Sequence, residues 1–328
     1  MRLKLLTFLL FVLAGSLSAS AQLTPVDSAK FAEYEVDLQR LSHNLMNIQI
    51  EAERQKASDS IDALLTKVLA EPNSYYYPFD SMKTVFRLKT EDKKIRIFTW
   101  AVILNSGEHI YHGIIQLNPK KFKKELPETI IKLKSNAPTE DLLYQDLTTD
   151  NWYGALYYQV KKIKYKKAEY YVLLGYDGND RSTNIKIIDV LTLDEDFTPH
   201  FGAPLFFMGK DFKNAQKEYK AAKKEAEKYE DDPIRQANSN QKAVAPLFQK
   251  RILFYFNDEV VMTLRFENDG EFIIWDHLVP IKGDVGEFSK YYPDGTYDYV
   301  KYKKGVFSYY EMFFSNEKID AKPDGDPK

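Results

Sequence analysis

From residue 82 to residue 312, short segments rich in Tyr, Phe, Val and Ile follow one another, with turn-forming residues between them. Aromatic and β-branched side chains favour strands, while Asn, Asp and Gly favour tight turns. The short connections are typical of antiparallel sheets, and the scarcity of helical patterns between strands argues against a βαβ fold. We therefore predict an α+β, β-dominated fold, with a large antiparallel sheet, sandwich or barrel-like domain over residues 79–315. The predicted strands cover residues 85–88, 95–104, 110–117, 128–133, 152–163, 169–176, 185–193, 203–207, 251–256, 260–266, 272–276, 297–302 and 306–312.

An N-terminal segment, residues 22–78, shows helical periodicity instead. Apolar residues step by three and four from Phe31 to Ile48, and a second apolar stripe begins at Ile61. The predicted N-cap of the second helix is one of the residues 58–60. We expect both helices to pack on the β-rich domain, with a short coiled coil as the alternative.

Three further segments differ from the strand pattern. Residues 209–245 predict a helical insertion, because apolar residues recur at helical spacing among Lys and Glu, followed by a polar loop at 231–242. Residues 139–147, after Pro138, predict a short helix. Residues 316–328 predict a disordered tail. Asp294-Gly295, after Pro293, predicts the start of a last hairpin, whose turn is Lys304-Gly305.

Residues 1–21 have the parts of a secretory signal peptide. Arg2 and Lys4 precede an apolar run, and residues 19–21, Ala-Ser-Ala, form a cleavage site. The run is about nine residues long, shorter than the ~20 needed to span a bilayer, so we expect cleavage before Gln22 rather than a retained anchor. With no cysteine after the site, a lipoprotein is excluded, and no later segment is apolar enough for a transmembrane helix. The expected location is the periplasm, the cell surface or the extracellular space.

Composition excludes several classes of function. The chain has no cysteine, which excludes disulfides, Cys-ligated zinc and Cys nucleophiles. Lys and Arg number 46 against 48 Asp and Glu, a net charge of −2, which argues against a nucleic-acid partner. Neither dinucleotide nor P-loop glycine motifs occur, so no cofactor is predicted.

The histidines offer the first candidate sites. His109 and His112 are three residues apart, a spacing that points two side chains to opposite faces of a strand and so disfavours metal binding. Asp276 and His277 are adjacent and also point apart. A Ser-His-Asp triad would need His277 or His200, but no Gly-x-Ser-x-Gly elbow supplies the nucleophile. The catalytic residues therefore stay unknown, and the histidines are predicted to be dispensable.

Asp177, Asn179 and Asp180 are calcium candidates, because Asp-Gly-Asn-Asp is a dense set of hard oxygen ligands. The EF-hand pattern fails, since position 181 is Arg, and the same four residues also form a good turn. No metal site is predicted, and the turn is the preferred interpretation.

A lysine cluster lies at residues 161–167, with Tyr165 and Tyr170 among the lysines. Such a cluster can bind anionic lipid or an acidic glycan. Lysines at a hairpin tip also protect a strand edge, and this is the interpretation that we prefer. The tyrosine runs 75–77 and 291–292 either stack on sugars or peptides, or cap a core.

Several strings taken together resemble an uncharacterised group of exported proteins from Bacteroidota-type Gram-negative bacteria. These strings are LLGYDGND at 173–180, KIIDVLTLD at 186–194, FGAPLF at 201–206, DHLVP at 276–280 and YYPDGTYDYV at 291–300. The resemblance covers about residues 80–312. It implies export, a Gram-negative envelope and a single β-rich domain, and it carries no known activity and no site residues.

The leading expectation is an exported soluble protein that is non-catalytic, either a binding protein or an envelope-associated one. Its partner is unknown, with an envelope protein and a glycan as the candidates. The alternative is a hydrolase that cleaves an envelope or extracellular polymer with Asp and Glu carboxylates. Paired carboxylates leave no linear motif, so a cleft holding two of them ~5–10 Å apart would identify the enzyme.

Overall fold

The computed structural model describes residues 23–226, 247–281 and 284–312, which contain three helices and fifteen strands. The predicted signal peptide at 1–21, the predicted loop at 231–242 and the predicted tail at 316–328 lie outside these ranges. The predicted fold class is confirmed, since strands dominate and the helices pack on antiparallel sheets.

Two N-terminal helices form the first layer. Helix α1 (Pro25–Asn47) begins with a capping box, in which Thr24 and Asp27 exchange hydrogen bonds between side chain and main chain. Helix α2 (Glu51–Leu69) begins well before the predicted cap at residues 58–60, so that prediction is wrong. The guanidinium of Arg54 explains the early start, because it donates to the carbonyls of Ile48 and Gln49 and so holds the connection between the helices.

The first sheet has four antiparallel strands in sequential order. They are β1 (Phe86–Lys89), β2 (Ile95–Ile103), β3 (His109–Leu117) and β4 (Ile130–Lys134). The second sheet contains six strands, of which the long pair β7 and β8 is central. Its members are β5 (Leu147–Thr148), β6 (Leu156–Tyr165), β7 (Ala168–Asp177), β8 (Thr183–Leu193), β9 (Pro199–Phe201) and β11 (Ile252–Asn257).

The third sheet contains the C-terminal strands. They are β10 (Phe206–Phe207), β12 (Leu264–Glu267), β13 (Phe272–Pro280), β14 (Tyr291–Lys303) and β15 (Val306–Met312), and the order is β10-β15-β14-β13-β12. Only β10 pairs in parallel, with β15. Helix α3 (Phe212–Ala226) follows β10 and lies within the predicted insertion at 209–245.

Three apolar cores separate four layers. Helices α1 and α2 pack on the first sheet around Trp100, which confirms the expectation that they pack on the β-rich region. The opposite face of the first sheet packs on the second sheet around Trp152. The other face of the second sheet packs on the third sheet around Trp275. The second sheet is therefore covered on both faces, and this explains why β7 and β8 are apolar at consecutive positions.

Four further sequence predictions are wrong, and hydrogen bonds explain three of them. Residues 139–147 form a turn that leads into β5 rather than a helix. The guanidinium of Arg251 donates hydrogen bonds to the carbonyls of Leu142 and Gln145, which a helix would use internally. Residues 203–205 turn before β10 instead of extending it, because the amide of Leu205 donates to the carbonyl of Ala203.

The strand predicted at 260–266 begins at Leu264, since the amide of Thr263 donates to the carboxylate of Asp276. Asp294-Gly295 does not start a hairpin. It lies within β14, where it forms a bulge described below.

Candidate functional site

The candidate calcium residues form a hydrogen-bonded turn after β7. The carboxylate of Asp177 accepts hydrogen bonds from the hydroxyls of Tyr111 (2.8 Å) and Tyr153 (2.7 Å) and from the amide of Asn179 (2.7 Å). Oδ1 of Asp180 accepts from the amides of Ser182 and Thr183. These carboxylate oxygens already have donors, as expected of a turn. In the described part of the chain, no three His, Asp or Glu side chains are grouped to hold a metal ion.

His109 and His112 lie on opposite faces of β3, as the spacing predicts. The ring of His109 stacks on Tyr111, against Gly178, on the face toward the second sheet. The ring of His112 stacks on Trp100 with centroids 5.5 Å apart, on the face toward the helices. Burial lowers the pKa of both imidazoles, so both favour the neutral form.

The other predicted residues are dispersed. His200 lies in β9, with Nε2 3.2 Å from Oδ2 of Asp194. Tyr75 is buried and donates to the carbonyl of Ile95, and the hydroxyl of Tyr77 donates to Glu35. Burial and the carboxylate of Glu35 together raise the pKa of Tyr77 to about 12. Tyr291 packs near Phe288.

His277 has a carboxylate partner that the sequence did not reveal. Its Nδ1 donates to Oδ2 of Asp298 (2.8 Å), and the hydroxyl of Tyr309 donates to the same oxygen (2.9 Å). Asp276, its neighbour in the chain, instead accepts from the amide of Thr263. We call His277, Asp298 and Tyr309 the histidine site.

A β-bulge positions this site. Asp276 pairs with Tyr297 and Leu278 pairs with Pro293, so His277 alone lies opposite residues 294–296 of β14. Within the bulge, Oδ1 of Asp294 accepts from the amide (2.9 Å) and hydroxyl (2.7 Å) of Thr296. Bulges re-aim a side chain relative to the regular alternation, and they are common beside active sites.

The electrostatics of the site favour a protonated histidine. Partial burial lowers the pKa of His277, but the hydrogen bond to Asp298 and the negative charges of Asp298, Asp294 and Glu311 outweigh it, so the pKa lies above the ordinary value. The side chain of His277 is 37% exposed and that of Asp298 only 9%. The ring can therefore exchange a proton with solvent or a ligand, while its carboxylate partner stays fixed.

The hydroxyl groups at the site are already engaged as donors. Thr296 donates to Asp294, and Tyr309 donates to Asp298. Burial, together with the hydrogen bond to Asp298, raises the pKa of Tyr309. The histidine site is thus equipped for proton transfer or for holding a polar ligand.

An aromatic face covers the outer side of the same strands. We define it by Phe272, Tyr297, Tyr299 and Tyr310, which alternate with the core-facing residues of β13, β14 and β15. Tyr299 and Tyr310 are cross-strand partners with nearly parallel rings 5.1 Å apart, and Phe272 meets Tyr299 edge-on at 5.7 Å. Tyr310 is 45% exposed. Lys301 lies over Phe272, and Arg265 lies over Tyr297, so cations border the rings.

The lysine cluster divides into paired and unpaired members. Lys161 forms ion pairs with Glu91 and Asp269, and Lys162 forms them with Asp92 and Glu169. Lys164, Lys166 and Lys167 are exposed, and none forms an ion pair among the described residues.

Sequence reasoning missed Asp298 and Tyr309. Asp298 is 21 residues from His277, and only the strand register brings the two together. The one local signal is Pro293-Asp294-Gly295, which predicts the start of a hairpin but lies within the long strand β14.

Comparison of the chain with protein-family models, with curated proteins and with solved structures gives no match. Over residues 23–226, 247–281 and 284–312, no helix is both long enough and apolar enough to cross a membrane.

Proposed function

We propose that the chain is an exported, non-catalytic binding protein of a Gram-negative envelope. The signal-peptide pattern at residues 1–21 and the resemblance of its internal strings support export and an envelope location. A glycan or an envelope protein is the expected ligand.

The aromatic face is the observation that carries the binding role. Large aromatic rings that stay half-exposed on a regular sheet face are typical of recognition surfaces, where Tyr in particular contributes much of the binding energy. Arg265 and Lys301 provide donors beside the rings, and their partners Glu267 and Glu271 provide acceptors. Rings bordered by donors and acceptors suit a polymer with both apolar and polar surfaces.

The test is sedimentation of the purified chain, residues 22–328, with isolated peptidoglycan sacculi and with outer-membrane fragments. We expect the wild type to sediment with one of them, and we expect the double variant Y299A/Y310A to bind about 30-fold more weakly, from ~2 kcal/mol of lost contacts. Tyr144→Ala, at a half-buried tyrosine in a remote turn, is the matched control. Undiminished binding by the double variant, with an unchanged unfolding midpoint, would refute the role of this face.

Export has its own measurement. Mass spectrometry of the protein from the cell envelope should find Gln22, free or cyclised, at the N-terminus. An intact Met1 on envelope protein contradicts export with cleavage.

The hydrogen bond between His277 and Asp298 favours the enzyme as a second candidate function. A histidine oriented by a buried carboxylate is a general base of the usual kind. The same sacculi provide the test, because hydrolysis releases soluble sugars or peptides. Release by the wild type that is lost in both His277→Gln and Asp298→Asn, each with an unchanged unfolding midpoint, would replace the binding proposal with the hydrolase.

A further inference from the structure

Two hairpin tips form one end of the molecule. The turn between β6 and β7 lies against the turn between β14 and β15, because a Cβ on Gly305 would come within 2.5 Å of the Tyr165 ring. The turn between β1 and β2 joins them, since Lys94 lies 2.7 Å from Glu169 of β7. The second and third sheets therefore end at a common surface.

The carboxylates at this end form ion pairs with lysines of the same chain. Glu169 binds both Lys94 and Lys162, Asp92 binds Lys162, and Lys161 lies between Glu91 and Asp269. Three lysines thus engage all four of these carboxylates. Those three lysines have their charges compensated and hold the turns together.

Four other exposed lysines lie near these ion pairs, and we call them the lysine tip. They are Lys164, Lys166, Lys167 and Lys304. Among the described residues none of the four takes part in an ion pair, although Nζ of Lys166 lies 5.3 Å from the centre of the Tyr165 ring.

Protection of a strand edge does not account for three of these four lysines, while the fourth, Lys164, lies within β6 opposite Glu169. β6 is an edge strand, but its last pair is Tyr165 with Ala168, and the last pair of the other hairpin is Lys303 with Val306. Lys166, Lys167 and Lys304 lie beyond those pairs, in the turns themselves. A lysine there cannot block the addition of a strand, which is the benefit that lysine gives along an edge.

We propose that the lysine tip docks the protein end-on to an anionic lipid surface, an inference that rests on the proposed envelope location. The chain as a whole carries a net charge of −2, so attraction to an anionic bilayer requires a local excess of positive charge, which this end provides. Three of its four lysines lie in the turns of two hairpins that contact each other, so their charges are concentrated at one end. Tyr165 and Tyr170 lie half-buried beside the lysines, and tyrosine is the side chain that favours a membrane–water interface.

Vesicle sedimentation tests this proposal with the purified chain, residues 22–328. We expect binding to vesicles of phosphatidylglycerol mixed with phosphatidylcholine, weak binding to phosphatidylcholine alone, and loss of binding as salt rises, because charges near a surface are screened. Each lysine near such a surface is worth about 1 kcal/mol, so K164Q/K166Q/K167Q should lower the partition coefficient about 100-fold.

The control has the same change in net charge at three exposed lysines on α3, K213Q/K217Q/K220Q, and should bind nearly as well as the wild type. An equal loss in both triple variants would overturn the proposal, since net charge alone would then explain binding. Equal binding to neutral vesicles would also overturn it. So would tight, tip-dependent binding of a soluble acidic polysaccharide without any preference for anionic vesicles.

Both triple variants replace exposed side chains, and their unfolding midpoints should match the wild type. Because purified protein and vesicles are used, failure of lipid binding leaves export to be judged separately by the mass of the N-terminus. Conversely, an intact Met1 would remove the location on which the docking role depends, whatever the vesicles show.

Discussion

His277 gains its proton affinity from a carboxylate on the neighbouring strand. The pKa of His277 is raised in the folded protein relative to the unfolded chain, while burial lowers the pKa of His109 and His112. Folding therefore takes up a proton at one histidine and resists protonation at the other two. The three contributions to stability run in opposite directions with pH, so a difference between variants is needed to isolate one.

We expect the stability difference between the wild type and His277→Gln to fall as pH rises. A histidine with a raised folded pKa contributes its full stability below the unfolded pKa and loses it as pH rises through the folded pKa. Urea unfolding of both proteins from about pH 5 to about pH 9 measures this difference. Asp298→Asn should abolish the trend, because it removes the charge that raises the pKa. A difference that grows with pH would contradict the assigned contact.

Two buried arginines show what a sequence can and cannot tell at this scale. Arg96 and Arg251 are both buried, but Arg96 donates to carbonyls and to Gln116, whereas Arg251 pairs with Asp189. Burial lowers the pKa of Arg96 to about 9. Both residues occur in ordinary strand patterns, so neither burial nor partner was predictable. Side chains whose role depends on cross-strand register, including Asp298, share this property.

At the scale of elements, the β14–β15 hairpin tip and the bulge each contain a glycine with positive φ. Gly305 in the β14–β15 turn has φ of +90°, and Gly295 in the bulge has φ of +88°. A Cβ would meet the Tyr165 ring at Gly305, but it would meet nothing within 4 Å at Gly295. A side chain added at either position would strain the backbone, but only at Gly305 would it also clash with a neighbouring residue.

We expect Gly295→Ala to cost about 1 kcal/mol, from backbone strain alone, and Gly305→Ala to cost about 2 kcal/mol or more, from strain and the clash with Tyr165. Urea denaturation of the two variants gives both values. Equal losses would mean that Tyr165 moves aside freely and does not hold the two hairpins together.

Strands were predicted more accurately than their ends. β2, β3, β7 and β8 match the predicted segments within two residues, because their patterns are continuous and end at Gly- or Asn-rich turns. The predictions failed where a side chain captured main-chain groups, as Arg251 does at residues 142–145 and Asp276 does at Thr263. The prediction at the bulge in β14 was wrong because Asp-Gly is compatible both with a hairpin turn and with a bulge. Local propensity does not record such tertiary hydrogen bonds.

At the scale of the whole molecule, each of the three cores contains one tryptophan. Trp100 lies between the helices and the first sheet, Trp152 between the first and second sheets, and Trp275 between the second and third. The chain has three tryptophans in all. Each therefore reports on a different pair of layers.

We expect the three layers of packing to be lost together. Protein labelled with 5-fluorotryptophan should show three native ¹⁹F resonances that disappear at one urea concentration, because the second sheet shares its strands between two cores. Earlier loss of the Trp100 signal would show that the helices and the first sheet unfold separately. Earlier loss of the Trp275 signal would show the same for the third sheet.

The burial of the second sheet on both faces also constrains the order in which the chain can fold. One face is covered by strands that precede it in the sequence, but the other, with Val172, Leu174 and Ile188, is covered mainly by residues 262–307. A chain that emerges from its N-terminus, at a ribosome or at a translocation channel, completes the second sheet before its cover exists. For that interval it presents a broad apolar surface to solvent. The last quarter of the sequence therefore decides whether the earlier part stays soluble, and a nascent chain stalled before β12 is the form most in need of a chaperone.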